Sequence, residues 1–129
     1  MPTNNEAFEY LEAFEISGEH TEFVVQKFQN RTLIIITQFN KIGNFYTVKN
    51  QVFNDQNALA SRSTQIFDIQ QKFGPQSIEI EGAVRYLMNF IDTSHEILIS
   101  LSLKNPEEIE KEILDKIKDV LTKISVLMK

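Results

Sequence analysis

The chain contains no cysteine and no tryptophan. Without thiols there is no disulfide framework, no thiolate nucleophile and no cysteine-held zinc. Imidazoles are nearly absent too. His20 sits at a turn and His95 at the start of a predicted strand, and neither has the HxH or HExxH spacing of a metal site. Ser94 and His95 are adjacent, which points their side chains apart and does not make a nucleophile–base pair. The four glycines are scattered, with no GxGxxG or P-loop pattern to cradle a phosphate.

Basic charge is in deficit. Lys plus Arg total 13 against 18 Asp plus Glu, for a net charge of −5, and no basic block interrupts the acidic background. Such a chain is poorly matched to a phosphate backbone or an anionic membrane surface, so neither nucleic acid nor membrane is an expected partner. The longest strongly apolar run, Leu33 to Ile36, is far too short to span a bilayer. Met1 to Glu15 is polar and acidic without the apolar centre of a signal peptide, which sets the expectation of a cytoplasmic or nuclear protein. On that expectation Asn30-Arg31-Thr32 is a chance match to the N-glycosylation pattern. The carboxylate pairs Glu12/Glu15 and Glu107/Glu108 read as solvated faces rather than as an acid–base dyad. No cofactor, metal or catalytic residue is therefore assigned.

What is present is a chain of 129 residues, 42% hydrophobic, with ten phenylalanines. That length and composition suit one folded domain spanning 1–129 with a core of aromatic bulk. Phe8 to Ile16 places Phe8, Tyr10, Phe14 and Ile16 on one face, interrupted by Glu12, as in an edge strand. Thr21 to Phe28, Thr32 to Phe39 and Asn44 to Lys49 read as three further strands with short links, and Gly43 in the last link can take positive φ. Asn50 to Thr64 is rich in Asn, Gln and Ser and predicts a flexible loop. Gln65 to Gln70 is a fifth strand, and Phe73-Gly74-Pro75 breaks the chain.

From Ser77 the period changes. Ile80, Ala83, Val84, Leu87, Met88 and Ile91 form one face of a helix capped by Ser77, and Gly82 within it implies close packing. His95 to Leu103 alternates, with Ile97, Ile99, Leu101 and Leu103 on one side. Asn105-Pro106-Glu107-Glu108 reads as a helix start. The stripe Ile109, Ile113, Ile117, Val120, Leu121, Ile124 and Met128 follows, giving a helix of about 23 residues. The predicted fold is α+β: an antiparallel sheet, made of a four-strand meander plus two further strands, packed with two amphipathic helices of which the C-terminal one is longer.

Leu33-Ile34-Ile35-Ile36 lacks polar alternation, and a strand apolar on both faces is buried on both sides. Two helices can cover one face. The other needs either a sheet that curls over itself or a second subunit, and the second subunit is the favoured reading. The segment continues as Thr37-Gln38-Phe39-Asn40-Lys41-Ile42-Gly43, and this run resembles the strand–turn signature of the proteasome assembly chaperone 3 family. The order of elements from about Phe8 to Ile124 is similar as well. The chain departs from the pattern in its longer, more acidic last helix and in Asn40, where a Gly is common.

The resemblance implies a non-enzymatic chaperone of 20S proteasome assembly. Members form homodimers, or heterodimers with proteasome assembly chaperone 4. They bind α-type subunits, usually the fifth, promote formation of the α ring, and leave before the particle matures. It implies partner contact at Thr37, Gln38, Phe39, Lys41 and Gly43, with Gly43 setting the turn and Lys41 projecting toward an acidic partner. Leu33, Ile34, Ile35 and Ile36 would serve the dimer or bury a sheet face. Two other readings stay open: a longin- or roadblock-like dimeric trafficking scaffold, and a small-ligand protein with a cavity between the last helix and the sheet.

Overall fold

A computed structural model describes residues 8–39, 41–52, 65–91 and 94–127. Six strands, β1 (Phe8–Ile16), β2 (Glu19–Lys27), β3 (Arg31–Thr37), β4 (Phe45–Val52), β5 (Gln65–Phe73) and β6 (Glu96–Ser102), form one mixed sheet. Two helices, α1 (Ile78–Leu87) and α2 (Lys111–Leu127), pack against it, and a short 3-10 turn, Met88–Phe90, extends α1. The α+β class and the longer C-terminal helix are as the sequence predicts.

The strand order is β1-β2-β3-β6-β4-β5, so the expected four-strand meander is a meander of three. β6 inserts between β3 and β4, parallel to β3 and antiparallel to β4. Two features account for this. The connection between β3 and β4 runs from Thr37 to Phe45, longer than a tight hairpin that would hold the two strands side by side. In addition, β3 and β6 carry apolar residues on both faces, Leu33–Ile36 and Ile97–Ile99, and such strands suit the centre of a sheet. β4 and β5, which carry Lys49, Asp68 and Lys72, are displaced to the periphery.

Registers sort the side chains by face. Phe23, Ile36 and Leu101 align across three strands, as do Val25, Ile34, Ile99 and Tyr46 across four. All are fully buried, together with Ile80, Val84 and Leu87 of α1 and Ile117, Leu121 and Ile124 of α2. Each such aliphatic side chain contributes about 1.5–3 kcal/mol relative to exposure. The ring of Phe14 meets Phe23 edge-on at 5.7 Å. Tyr46 brings a polar atom into this layer: its hydroxyl is buried without a hydrogen-bond partner among the described residues.

Three local expectations are corrected. Ser77 does cap α1, its Oγ accepting from Ile80 N at 3.1 Å, but Gly82 lies on the exposed face and a Cβ there would meet nothing within 4 Å. Asn105-Pro106-Glu107-Glu108 does not start α2. Glu108 N donates to Asn105 O at 3.2 Å, closing a turn, and the helix begins at Lys111 with 17 residues. Proline after asparagine with acids following serves a turn as well as a helix start, because both need the same φ. The loop expected at 50–64 lies mostly outside the described residues; its first part, 50–52, belongs to β4.

Candidate functional site

The segment after β3 is built around Thr37. Its Oγ1 donates to Lys41 O at 2.9 Å and accepts from Lys41 N at 3.2 Å and Phe39 N at 3.3 Å. One hydroxyl thus stands in for the backbone bonds that a regular hairpin would supply. Gln38 turns inward. Its Nε2 donates to Thr21 Oγ1 at 3.2 Å, its Oε1 accepts from Lys104 N at 3.1 Å, and its own N–H donates to Ser102 O at 2.9 Å.

The loop is then sewn to β6. Gly43 N donates to Ser102 Oγ at 2.8 Å. Asn44 uses both ends of its amide on one residue, Nδ2 donating to Leu101 O at 2.6 Å and Oδ1 accepting from Leu101 N at 2.9 Å. Gly43 does not adopt positive φ, contrary to its expected role in setting the turn. Its constraint is space: a Cβ would stand 3.2 Å from Ser102 Oγ. Beside it Gly74 is left-handed, at φ +99°, and a Cβ there would collide with Gly43 O and lie 2.8 Å from Asn44 Cα. The breaks after β3 and after β5 therefore pack backbone against backbone.

This framework holds out three side chains. Phe39 and Ile42 are exposed, and so is Lys41, whose ammonium has no partner among the described residues. Of the five signature residues read from the sequence, Phe39 and Lys41 are thus free to touch another molecule, whereas Thr37 and Gln38 are buried scaffold and Gly43 is a spacer. Asn44, Gly74 and Ser102 complete the framework and carried no functional reading in the sequence. A glycine between Phe73 and Pro75 signals a break, not what it packs against.

Beside the loop lies a cleft of about 500 Å³. Phe39, Gly43 and Asn44 form one wall, Pro75 to Ile80 a second, and Leu101 to Leu103 with Pro106 and Glu107 a third. It sits at the Thr37 end of the sheet, away from α2, whose Ile117, Leu121 and Ile124 fill the space above the sheet.

The helix-free face of the sheet carries an apolar stripe. Leu11, Val24, Ile35 and Ser100 align across four strands, and Leu33, Leu98 and Thr47 across three. Leu33 and Ile35 are half-buried by these neighbours alone, while Ile34 and Ile36 are buried beneath the helices. No described segment covers the stripe. Polar pairs border it: Gln26 Nε2 donates to Glu9 Oε2 at 2.8 Å, and Arg31 lies 3.7 Å from Glu96. An apolar centre inside a polar rim is the anatomy of a protein interface. His20 points to Glu22 at 3.4 Å, and no group of three His, Asp or Glu among the described residues is placed to hold a metal ion. The arrangement supplies contact area and charge.

Comparison with known proteins agrees with this geometry. A solved structure titled "Crystal Structure of a Novel Chaperone Complex for Yeast 20S Proteasome Assembly" superposes with a TM-score of 0.69. It covers 92% of this chain and 98% of its own at 15% identity, which establishes likeness of fold. No curated protein matches the sequence. The sequence profile described as "Proteasome assembly chaperone 3" matches residues 34–124, from the second half of β3 through nearly all of α2. That span is more than half of the chain and includes the whole loop and cleft, so the chain belongs to the proteasome assembly chaperone 3 family.

Proposed function

We propose that this protein is a non-enzymatic chaperone of 20S proteasome assembly, working in the cytoplasm or nucleus. It binds α-type subunits, the fifth foremost, promotes their arrangement into the α ring, and leaves before the particle matures. The observation that carries the reading is the loop after β3. Its buried residues make bonds to β2 and β6 that fix its shape, and its exposed ones, Phe39, Lys41 and Ile42, face outward on that rigid base. A pre-shaped loop loses little entropy on binding, which suits transient capture of a subunit.

In this reading the apolar stripe of the helix-free face is covered by a second subunit, either another copy or proteasome assembly chaperone 4. The family match and the fold of the yeast complex support the proteasome reading. Pull-downs with individual α subunits test it, with and without the partner chaperone supplied. Retention of an α subunit, reduced by Lys41→Glu in a variant that melts within about 0.5 kcal/mol of wild type, is the expected result. If no α subunit is retained under either condition, the reading is wrong.

A further inference from the structure

Four of the large exposed apolar side chains gather at one end of the sheet. Phe39 and Ile78 line the cleft, at 38% and 87% exposure. Ile42 and Phe73, also exposed, directly precede Gly43 and Gly74, whose backbones touch beside it. Single exposed apolar residues are ordinary, but a group around one concavity marks a place where another molecule sits. Ile78 is the most telling. It occupies the first position of α1, where no core contact requires an aliphatic residue and a polar one would serve the helix equally.

The cleft is also acidic. Glu79 enters from the first turn of α1 and Glu107 from the turn after β6, so the two carboxylates come from different walls. Both are exposed, and Glu79 has only a 3.5 Å contact with Ser77 Oγ. Of the cations on the flanking segments, Lys104 Nζ meets Glu19 at 2.9 Å and Arg85 meets Glu81 at 3.9 Å, while Lys41, exposed on the loop between Phe39 and Gly43, does not line the cleft. No lysine or arginine lines the cleft.

We infer that this cleft docks an extended segment of a partner protein that presents an apolar side chain beside a lysine or arginine. The apolar group lies against Phe39, Ile78, Leu103 and Pro106, and the cation meets Glu79 and Glu107. The inference rests on the assembly-chaperone reading, since it supplies that chaperone with a second, charge-selective contact next to the signature loop.

The test is selection from a random heptapeptide library on the immobilised full-length protein, followed by titration of the enriched peptides into the isotopically labelled protein by NMR. Enrichment of peptides with Arg or Lys next to an apolar residue is expected, with shifts confined to the cleft. The variant Glu79→Gln/Glu107→Gln should bind them about tenfold more weakly, and Ile78→Ser should weaken them too; both changes are at exposed positions. Enrichment of acidic peptides, perturbation centred on the helix-free face, failure to enrich any sequence, or equal binding by the double variant would each overturn the inference. Retention of α subunits by wild type is measured in parallel. If it persists while peptide selection fails, the cleft inference falls and the chaperone reading stands; if wild type retains no α subunit, the chaperone reading falls first.

Discussion

Asn44 and Leu101 face each other as though both were backbone, the side-chain amide of the first exchanging two hydrogen bonds, at 2.6 and 2.9 Å, with the peptide groups of the second. The amide extends the ladder between β4 and β6 beyond the point where the strands diverge. Asn44→Ala would leave a buried N–H and a buried C=O of Leu101 without partners. Each such group costs about 1–3 kcal/mol, so a loss of about 2–4 kcal/mol is expected in urea denaturation. A loss below about 1 kcal/mol would mean that water replaces the amide.

Gly74→Ala tests the contact between the two chain breaks. The left-handed φ and the collision with Gly43 O act together, and no flexible side chain is available to yield. A loss of about 2–4 kcal/mol is expected from strain and overpacking. Gly82→Ala is the matched control, because its Cβ meets nothing and alanine favours the helix by about 1 kcal/mol. Thermal melting of the pair should move in opposite directions.

Tyr46→Phe removes a hydroxyl that has no partner among the described residues. Burial raises its pKa, with the Glu81 carboxylate adding to the effect. Losing a buried, unsatisfied polar atom should leave the melting temperature unchanged or raise it, by up to about 1 kcal/mol in stability. A clear fall would show that the hydroxyl is bonded in solution.

Tyr10 gives a pH signature. Burial, then its hydrogen bond to Glu12 at 2.5 Å, pushes its pKa from 10.0 up to about 12. The folded state therefore holds the phenolic proton more tightly than the unfolded chain. The resulting stability is fully present below pH 10.0 and is lost as pH rises through about 12. Urea midpoints between these values should fall more steeply for wild type than for Tyr10→Phe.

Leu11 is 72% exposed, yet it lies in the apolar stripe with Val24 and Ile35. Leu11→Asp should leave the subunit folded, within about 0.5 kcal/mol. If the stripe is covered by a second copy, sedimentation at micromolar concentration should show a dimer for wild type and a monomer for the variant. Identical profiles for the two would remove the stripe from the interface.

Periodicity made the elements legible because it reports which face of a strand or helix is buried. The alternation of Ile97, Ile99, Leu101 and Leu103, and the stripe of Ile113, Ile117, Leu121 and Ile124, correspond directly to buried positions. Alternation does not name a strand's neighbour, so β6 could be recognised as a strand without being placed beside β3. The site was half legible for a related reason. The motif drew attention to Thr37, Gln38 and Gly43, but polar residues in a turn look alike whether they face solvent or, as Gln38 does, reach across to Thr21 and Lys104. Ile78 falls off the helical stripe that begins at Ile80, so the period sets it apart from the buried face, but a single off-stripe aliphatic residue does not by itself mark a cleft.

The central place of β6 also has a consequence for biosynthesis. Among the described strands it is the last in the chain, and it alone of them joins the sheet's two halves: β1 to β3 on one side, β4 and β5 on the other. A nascent chain that has emerged only through α1 holds two separate antiparallel units, each with an open apolar edge where β6 will lie. Arg31 must wait for Glu96, and Tyr46 for Ile99, before either edge is closed. Folding of the sheet is thus deferred until the final third of the chain leaves the ribosome. A chain that stops short of β6 yields not a smaller sheet but two adhesive fragments, so a protein that assists the assembly of others is itself most prone to aggregate just before its own is complete.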